Sequence, residues 1–237
     1  MSTPEPLPVF SPGDGLSATL AEMDRLYKAD RDNAIRGQHF IKTLHGFVAR
    51  QLRDRLHPAA MRAGVRVVEE ASVFGSHKAK DVDVAVIHPT SGPLVLVGAR
   101  SQMSSIGNNV LNYYQDIVGE AVSLEERYPM TVHSYVYLHP RRFTRSKSND
   151  SVVETDYARY AKMYRAITGR DDVLYKNVSG VYDQFAYLVV DFEADPIQLC
   201  DDLVAAAVPD VDLSIRTFVD RVVETYQRRN IWFDLFV

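Results

Sequence analysis

The sequence predicts an α/β fold with a central sheet flanked by helices, and three observations carry that prediction. Residues 80–100 hold two strand-like runs joined by a turn, residues 104–128 hold a long run of helical period, and residues 131–138 alternate again. A hairpin, a helix and a returning strand in that order build a sheet with helices on its faces.

Each element can be justified in turn. Residues 16–56 read as two helices, with Leu20, Met23 and Leu26 on the apolar face of the first and Ile41, Leu44, Val48 and Leu52 on that of the second. Val65-Arg66-Val67-Val68, followed by Ala71 to Ser76, suits a first strand leading into a turn. Lys80-Asp81-Val82-Asp83-Val84-Ala85-Val86 alternates acidic and apolar residues. Period-2 geometry puts Asp81, Asp83 and Ala85 on one face and Val82, Val84 and Val86 on the other. His88 to Pro93 is a turn, and Leu94-Val95-Leu96-Val97-Gly98-Ala99-Arg100 is a second strand with Leu96, Gly98, Arg100 and Gln102 together on one face.

Ser104 to Tyr128 is a helix, since Ile106, Val110, Tyr114, Ile117, Ala121, Leu124 and Tyr128 step by three or four, with Ser104 or Ser105 able to cap its start and Pro129 stopping it. Thr131 to Leu138 is a strand. The remainder predicts a helix at about 153–167, a strand at 185–192, and helices at 197–208 and 213–228. The apolar tail Ile231 to Val237 belongs against the core or in a dimer contact.

Residues 66–140 resemble the PD-(D/E)xK phosphodiesterase superfamily, to which many restriction endonucleases belong. The resemblance rests on Asp83 at the start of the hairpin, on the apolar strand ending at Gly98-Ala99-Arg100 fifteen residues later, and on the helix and strand that follow. It implies a restriction endonuclease-like mixed central sheet flanked by helices, a Mg²⁺ cofactor with Mn²⁺ as a possible substitute, and Asp83 as a metal ligand. It also implies hydrolysis of duplex DNA by a homodimer, because cutting both strands of a palindrome calls for two sites related by a two-fold axis.

Where that superfamily places a second acid and a lysine, this chain has Gly98 and Arg100. Glycine offers no ligand atom, while arginine can grip a phosphate bidentately but is a poor base. Three repairs are open. Asp81 could supply a second carboxylate, Gln102 a neutral oxygen, and Asp116 or Glu120 a carboxylate relocated to the next helix; solvated helix positions are the alternative reading of the last two. Catalysis is thereby assigned to Asp83, Arg100 and Gln102, and metal binding to Asp83, Asp81, Glu120 and Asp116. The competing reading is a catalytically degenerate relative that binds DNA or a protein partner without cleavage.

Lys78 and Lys80 flank the acidic strand, and Arg141-Arg142-Phe143-Thr144-Arg145-Ser146-Lys147 follows the predicted fourth strand without an acid. Lys78, Lys80, Arg141, Arg142, Arg145 and Lys147 are therefore expected to contact phosphates or base edges, although a solvated surface loop fits the run equally. His77 lies near Lys78 and is a further candidate for substrate contact; His133 and His139 read as structural. Charge is uneven along the chain: residues 31–66 carry eight basic side chains against two acids, and residues 183–220 carry nine acids against one arginine. Such asymmetry would steer a polyanion toward one face.

Composition sets the outer bounds. A chain of 237 residues with 46% hydrophobic content can bury one full core, so residues 16–237 are expected to form a single domain behind a flexible Pro-rich arm at 1–15. The net charge of −4 argues against nonspecific coating of nucleic acid. The lone Cys200 excludes an intramolecular disulfide framework and a cysteine-rich zinc site, and points to a reducing, cytoplasmic setting. No segment is apolar for long enough to suggest membrane association. Gly-rich phosphate loops ending in Lys-Ser or Lys-Thr, Gly-x-Ser-x-Gly elbows and His-Glu-x-x-His helices are absent.

Overall fold

A computed structural model describes residues 15–31, 38–146, 149–170, 174–175 and 178–237. The Pro-rich arm up to residue 14 and Lys147 lie outside the described residues. Helices α1 (Leu16–Ala29), α2 (Gln38–Asp54) and α3 (Pro58–Arg62) precede strands β1 (Arg66–Phe74), β2 (Ala79–His88) and β3 (Gly92–Ser101). Helix α4 (Ile106–Arg127) leads to β4 (Val132–Pro140), β5 (Arg142–Ser146) and β6 (Asn149–Glu154). Then come α5 (Tyr157–Arg165), the two-residue strands β7 (Leu174–Tyr175) and β8 (Val178–Ser179), β9 (Gln184–Asp191), β10 (Gln198–Leu199), α6 (Asp201–Ala207) and α7 (Ile215–Arg229).

The main sheet is mixed and six-stranded, in the order β1-β2-β3-β4-β9-β10. β1, β2 and β3 form an antiparallel meander, β3, β4 and β9 run parallel, and β10 closes the far edge antiparallel. Strand β4 is buried along its whole length, as a central parallel strand covered on both faces should be. On one side α1, α2 and α7 pack on Val84, Val86, Val95, Val97, Val136 and Leu188. On the other, α4, α5 and α6 cover Tyr135, Tyr137, Phe185, Tyr187 and Val189. Among the described residues no helix is long and apolar enough to cross a membrane.

Several expectations need correction. β1 is not among them: it runs from Arg66 to Phe74 and leads into a turn closed by the Gly75 N–H donating to the Lys78 carbonyl. α4 begins at Ile106 without a serine cap: Ser105 sits in the left-handed region (φ 51) and makes no side-chain cap. The helix expected at 153–167 starts only at Tyr157, because Val153 and Glu154 pair with Phe143 and Arg142 in a β5–β6 hairpin. β10 occupies the first turn of the helix expected at 197–208. The tail divides, Leu235 and Phe236 entering the core and Phe236 bridging to Leu56, while Trp232 stays 91% exposed.

The acidic segment is partly neutralised in space, mostly by arginines from outside the basic one. Arg55 of the basic segment donates to Asp220 of the acidic one, Arg142 to Asp191, Arg165 to Asp210 and Arg229 to Asp183. These pairs tie distant elements together, and only Arg55 of the basic segment takes part in them.

Candidate functional site

Strict alternation fails in the middle of the hairpin, and that failure builds the site. Glu69 pairs with Val84 and Ala71 with Val82, so Glu70 stands directly opposite Asp83 at a position where the ladder is interrupted. Glu70 has φ 56, a conformation that L residues rarely adopt. Before this point Val67, Val84 and Val86 face the α2 layer; beyond it Ala71, Val73 and Val82 face the α4 layer with Leu96 and Leu124. Both strands thus exchange faces at the Glu70–Asp83 pair. Val82 therefore parts company with Val84 and Val86, while Asp81 is exposed and belongs neither to the cavity wall nor to the group around His45.

Pairing between β2 and β3 ends at Val84–Val97. Where the ladder would continue, the Asp83 carboxylate takes over, its Oδ2 accepting from the Ala99 backbone N–H at 2.6 Å. Its Oδ1 lies 3.6 Å from His45 Nε2 on α2, and His45 Nδ1 lies 3.3 Å from Glu70 Oε1. Burial pushes the Asp83 carboxyl above the usual carboxylate range, with the His45 imidazole and the Ala99 N–H pulling it part of the way back.

Asp83 also lines a cavity of about 110 Å³ on the α4 side, together with Lys80, Gly98, Arg100, Glu120 and Tyr135. Lys80 Nζ donates to Glu120 Oε1 at 2.7 Å across this space. Arg100 stacks on Tyr113, its guanidinium carbon 4.5 Å from the ring centre, and its buried Nη1 has no hydrogen-bond partner. Ser134, another lining residue, likewise has a buried hydroxyl without a partner. A cation and a hydroxyl with unspent donors, beside a carboxylate, make a small polar chamber suited to an anionic group with an associated cation.

The expected residues distribute unevenly over this geometry. Asp83, Arg100, Glu120 and Lys80 converge, Lys80 facing the cavity as part of its wall. Gln102 does not: its amide donates to the carbonyls of Ser105 and Ile106, and its Oε1 accepts from Tyr137 at 3.1 Å, so it fastens the start of α4 to the sheet. Asp116 is exposed and lies 4.0 Å from Arg100 Nη1, outside the cavity wall. Lys78 is exposed, and His77 is 72% exposed beside Glu126.

Arg141 and Arg142 are engaged with Asp191, a carboxylate only 3% exposed, and hold the β5–β6 hairpin against β9 instead of offering free cations. Of Arg145 only the backbone, in β5, is described.

His133 and His139 are structural. The His133 ring lies 3.1 Å from the Tyr128 carbonyl, and His139 lies among Tyr137, Tyr160 and Tyr187, its Nδ1 2.9 Å from the Tyr187 hydroxyl. Burial lowers their pKa values to about 4 and about 3. Both therefore stay neutral in the fold while their unfolded counterparts take up protons near pH 6.5. The unfolded state binds more protons below that point, so stability is full above pH 6.5 and declines as pH falls toward 4. For His133 alone the decline is about 3 kcal/mol across that window. Melting temperatures taken at pH 7 and pH 4.5 should show it, and His133→Gln should reduce it by roughly half, His139 supplying the rest.

The sequence reading missed His45 and Glu70. A signal was present for each: His45 lies on the apolar face of α2 between Ile41 and Val48, and Glu69-Glu70 interrupts a strand otherwise rich in valine. Of the ligands expected for Mg²⁺, only Asp83 belongs to a group whose donor atoms lie within 4.8 Å of one another, and its companions there are His45 and Glu70. Of the three repairs, only Glu120 is brought to the cavity that Asp83 lines; Asp81, Gln102 and Asp116 are not part of its wall. No protein-family model matches this chain, and no curated protein matches it either.

Proposed function

We propose that this chain is a metal-dependent DNA phosphodiesterase of restriction endonuclease-like type. The observation that carries the reading is the convergence of Asp83, Lys80, Arg100 and Glu120 on one cavity, at the point where β2 and β3 part. The antiparallel β1-β2-β3 meander, the α4 crossover and the parallel β4 follow the order that the sequence resemblance implies, and support it further.

On this reading Arg100 binds a non-bridging phosphate oxygen through the donor that now lacks a partner, and the stacked Tyr113 ring fixes its orientation. Lys80, held by Glu120, sets positive charge near the phosphate oxygens, where negative charge builds up during attack. Asp83, its carboxyl raised by burial, accepts hydrogen bonds from an attacking water or shares a cation there. A bound metal ion would supply an activated water at neutral pH.

A second reading, binding without cleavage, is favoured by one observation: Gly98 cannot hold the acid that the superfamily places on this strand, for the Tyr135 ring fills the position. The two readings separate in one assay. Supercoiled duplex DNA, methylated or unmethylated, incubated with the protein in Mg²⁺, Mn²⁺ or Zn²⁺ should be nicked or linearised. Arg100→Ala should slow this by about 10²-fold, as loss of one transition-state donor does, and Arg100→Lys by less. DNA retention on a gel with no cleavage under any ion would leave the binding reading standing.

A further inference from the structure

We propose that His45, Glu70 and Asp83 form a site for a divalent first-row transition ion of the Mn²⁺ to Zn²⁺ class, in preference to Mg²⁺. The site shares Asp83 with the phosphodiesterase reading and stands whether or not DNA is the substrate.

His45 carries the argument. Its side chain is only 4% exposed, yet neither ring nitrogen has a hydrogen-bond partner. A buried imidazole that makes no hydrogen bond forfeits its hydration, typically at a cost of about 1–3 kcal/mol, and an exception of that kind calls for a specific occupant. Two carboxylates from adjacent strands face it, Glu70 at 3.3 Å from Nδ1 and Asp83 at 3.6 Å from Nε2, so one ion would take one of these nitrogens and draw the other carboxylate round to it. The longer spacing exceeds a hydrogen bond, but it is close to the edge, about 3.4 Å, of a tetrahedron whose bonds are about 2.1 Å. One donor atom from each of the three residues lies within 4.8 Å of the others, so a small cation can gather them with slight movement.

The elements explain how the residues meet. α2 delivers the imidazole from the apolar face that packs on the sheet, β2 delivers Asp83 at the end of its ladder with β3, and the left-handed turn of the backbone at Glu70 places that acid opposite Asp83. The competitor is Lys42, whose ammonium lies 3.8 Å from Glu70; its side chain is 44% exposed and can swing into solvent.

Donor chemistry then selects the ion. Mg²⁺ favours oxygen ligands and sheds its waters reluctantly, whereas imidazole raises affinity for ions along the first transition row. One nitrogen with two carboxylates is a mixed set that Zn²⁺ and Mn²⁺ accept and Mg²⁺ does not reward.

The test is calorimetric titration of the metal-stripped full chain with Zn²⁺ and, separately, with Mg²⁺. One equivalent of Zn²⁺ should bind at least about a hundredfold more tightly than Mg²⁺. His45→Ala and Glu70→Gln should each weaken Zn²⁺ binding tenfold or more. Glu70 is 44% exposed at its side chain, so Glu70→Gln should keep the fold even if the His45 variant does not, and melting curves verify this. Absence of stoichiometric Zn²⁺ binding, equal affinity for the two ions, or binding that Glu70→Gln and Asp83→Asn leave unchanged would overturn the proposal. Zn²⁺ binding without DNA cleavage would retain this site and sink the phosphodiesterase. Mg²⁺-driven cleavage indifferent to His45→Ala and Glu70→Gln would do the reverse.

Discussion

Asp83→Asn should abolish DNA cleavage, by about a thousandfold or more, while the melting temperature stays at or above that of the unaltered protein. The activity loss follows from position. One carboxylate faces both the His45–Glu70 group and the cavity that holds Arg100, and asparagine cannot offer a charged oxygen to either. The several kcal/mol that an ion and an oriented water supply to phosphate hydrolysis correspond to that factor. The stability outcome follows from burial. Because desolvation raises the Asp83 pKa, the fold favours the uncharged form, and a neutral isostere relieves that opposition. Its amide oxygen can still accept from the Ala99 N–H. Cleavage kinetics and a thermal melt on the same preparation check both halves; a variant that cuts normally removes Asp83 from the chemistry.

The second large effect concerns Gly98, where a Cβ would drive into the Tyr135 ring, lying only 2.7 Å from Cδ2 and nearer still to Cε2. The ring cannot step aside, since it is 4% exposed and packed against Tyr182 and Phe185 at centroid distances of 5.3 and 5.6 Å. Gly98→Ala should therefore cost about 1–3 kcal/mol, the usual range for overpacking, and lower the melting temperature by roughly 2–12 °C. Gly98→Glu should be worse and should bring no gain in cutting, even when combined with Arg100→Lys. Pairing Gly98→Ala with Tyr135→Leu should return much of the loss, a coupling that a double-mutant cycle measures. If Gly98→Ala melts normally, the glycine is a mere absence of side chain and not a fitted one.

The hairpin strands, α4, β4 and β9 were legible in the sequence because α4 keeps a helical step throughout and the strands are short alternating or continuous apolar runs. So was the shared face of Leu96, Gly98 and Arg100, which β3 keeps. The faces of β2 were not, because alternation assumes a regular backbone and a single residue, Glu70 on the neighbouring strand, departs from it. Nor was the role of Gln102: a polar side chain after a strand reads the same whether it binds an ion or, as here, fastens a helix start. His45 escaped notice for a different reason. It lies 38 residues before Asp83, and only the packing of α2 against the sheet brings the two together.

The exchange of faces at Glu70 and Asp83 has a thermodynamic consequence. A single carboxylate reports to two compartments, so a cation arriving from the imidazole side removes the negative charge that an anion would meet from the guanidinium side. If both proposed ligands bind, each should raise the affinity of the other, and by the same factor in either order. Cooperativity of this kind needs no moving part, since both occupants draw on one charge.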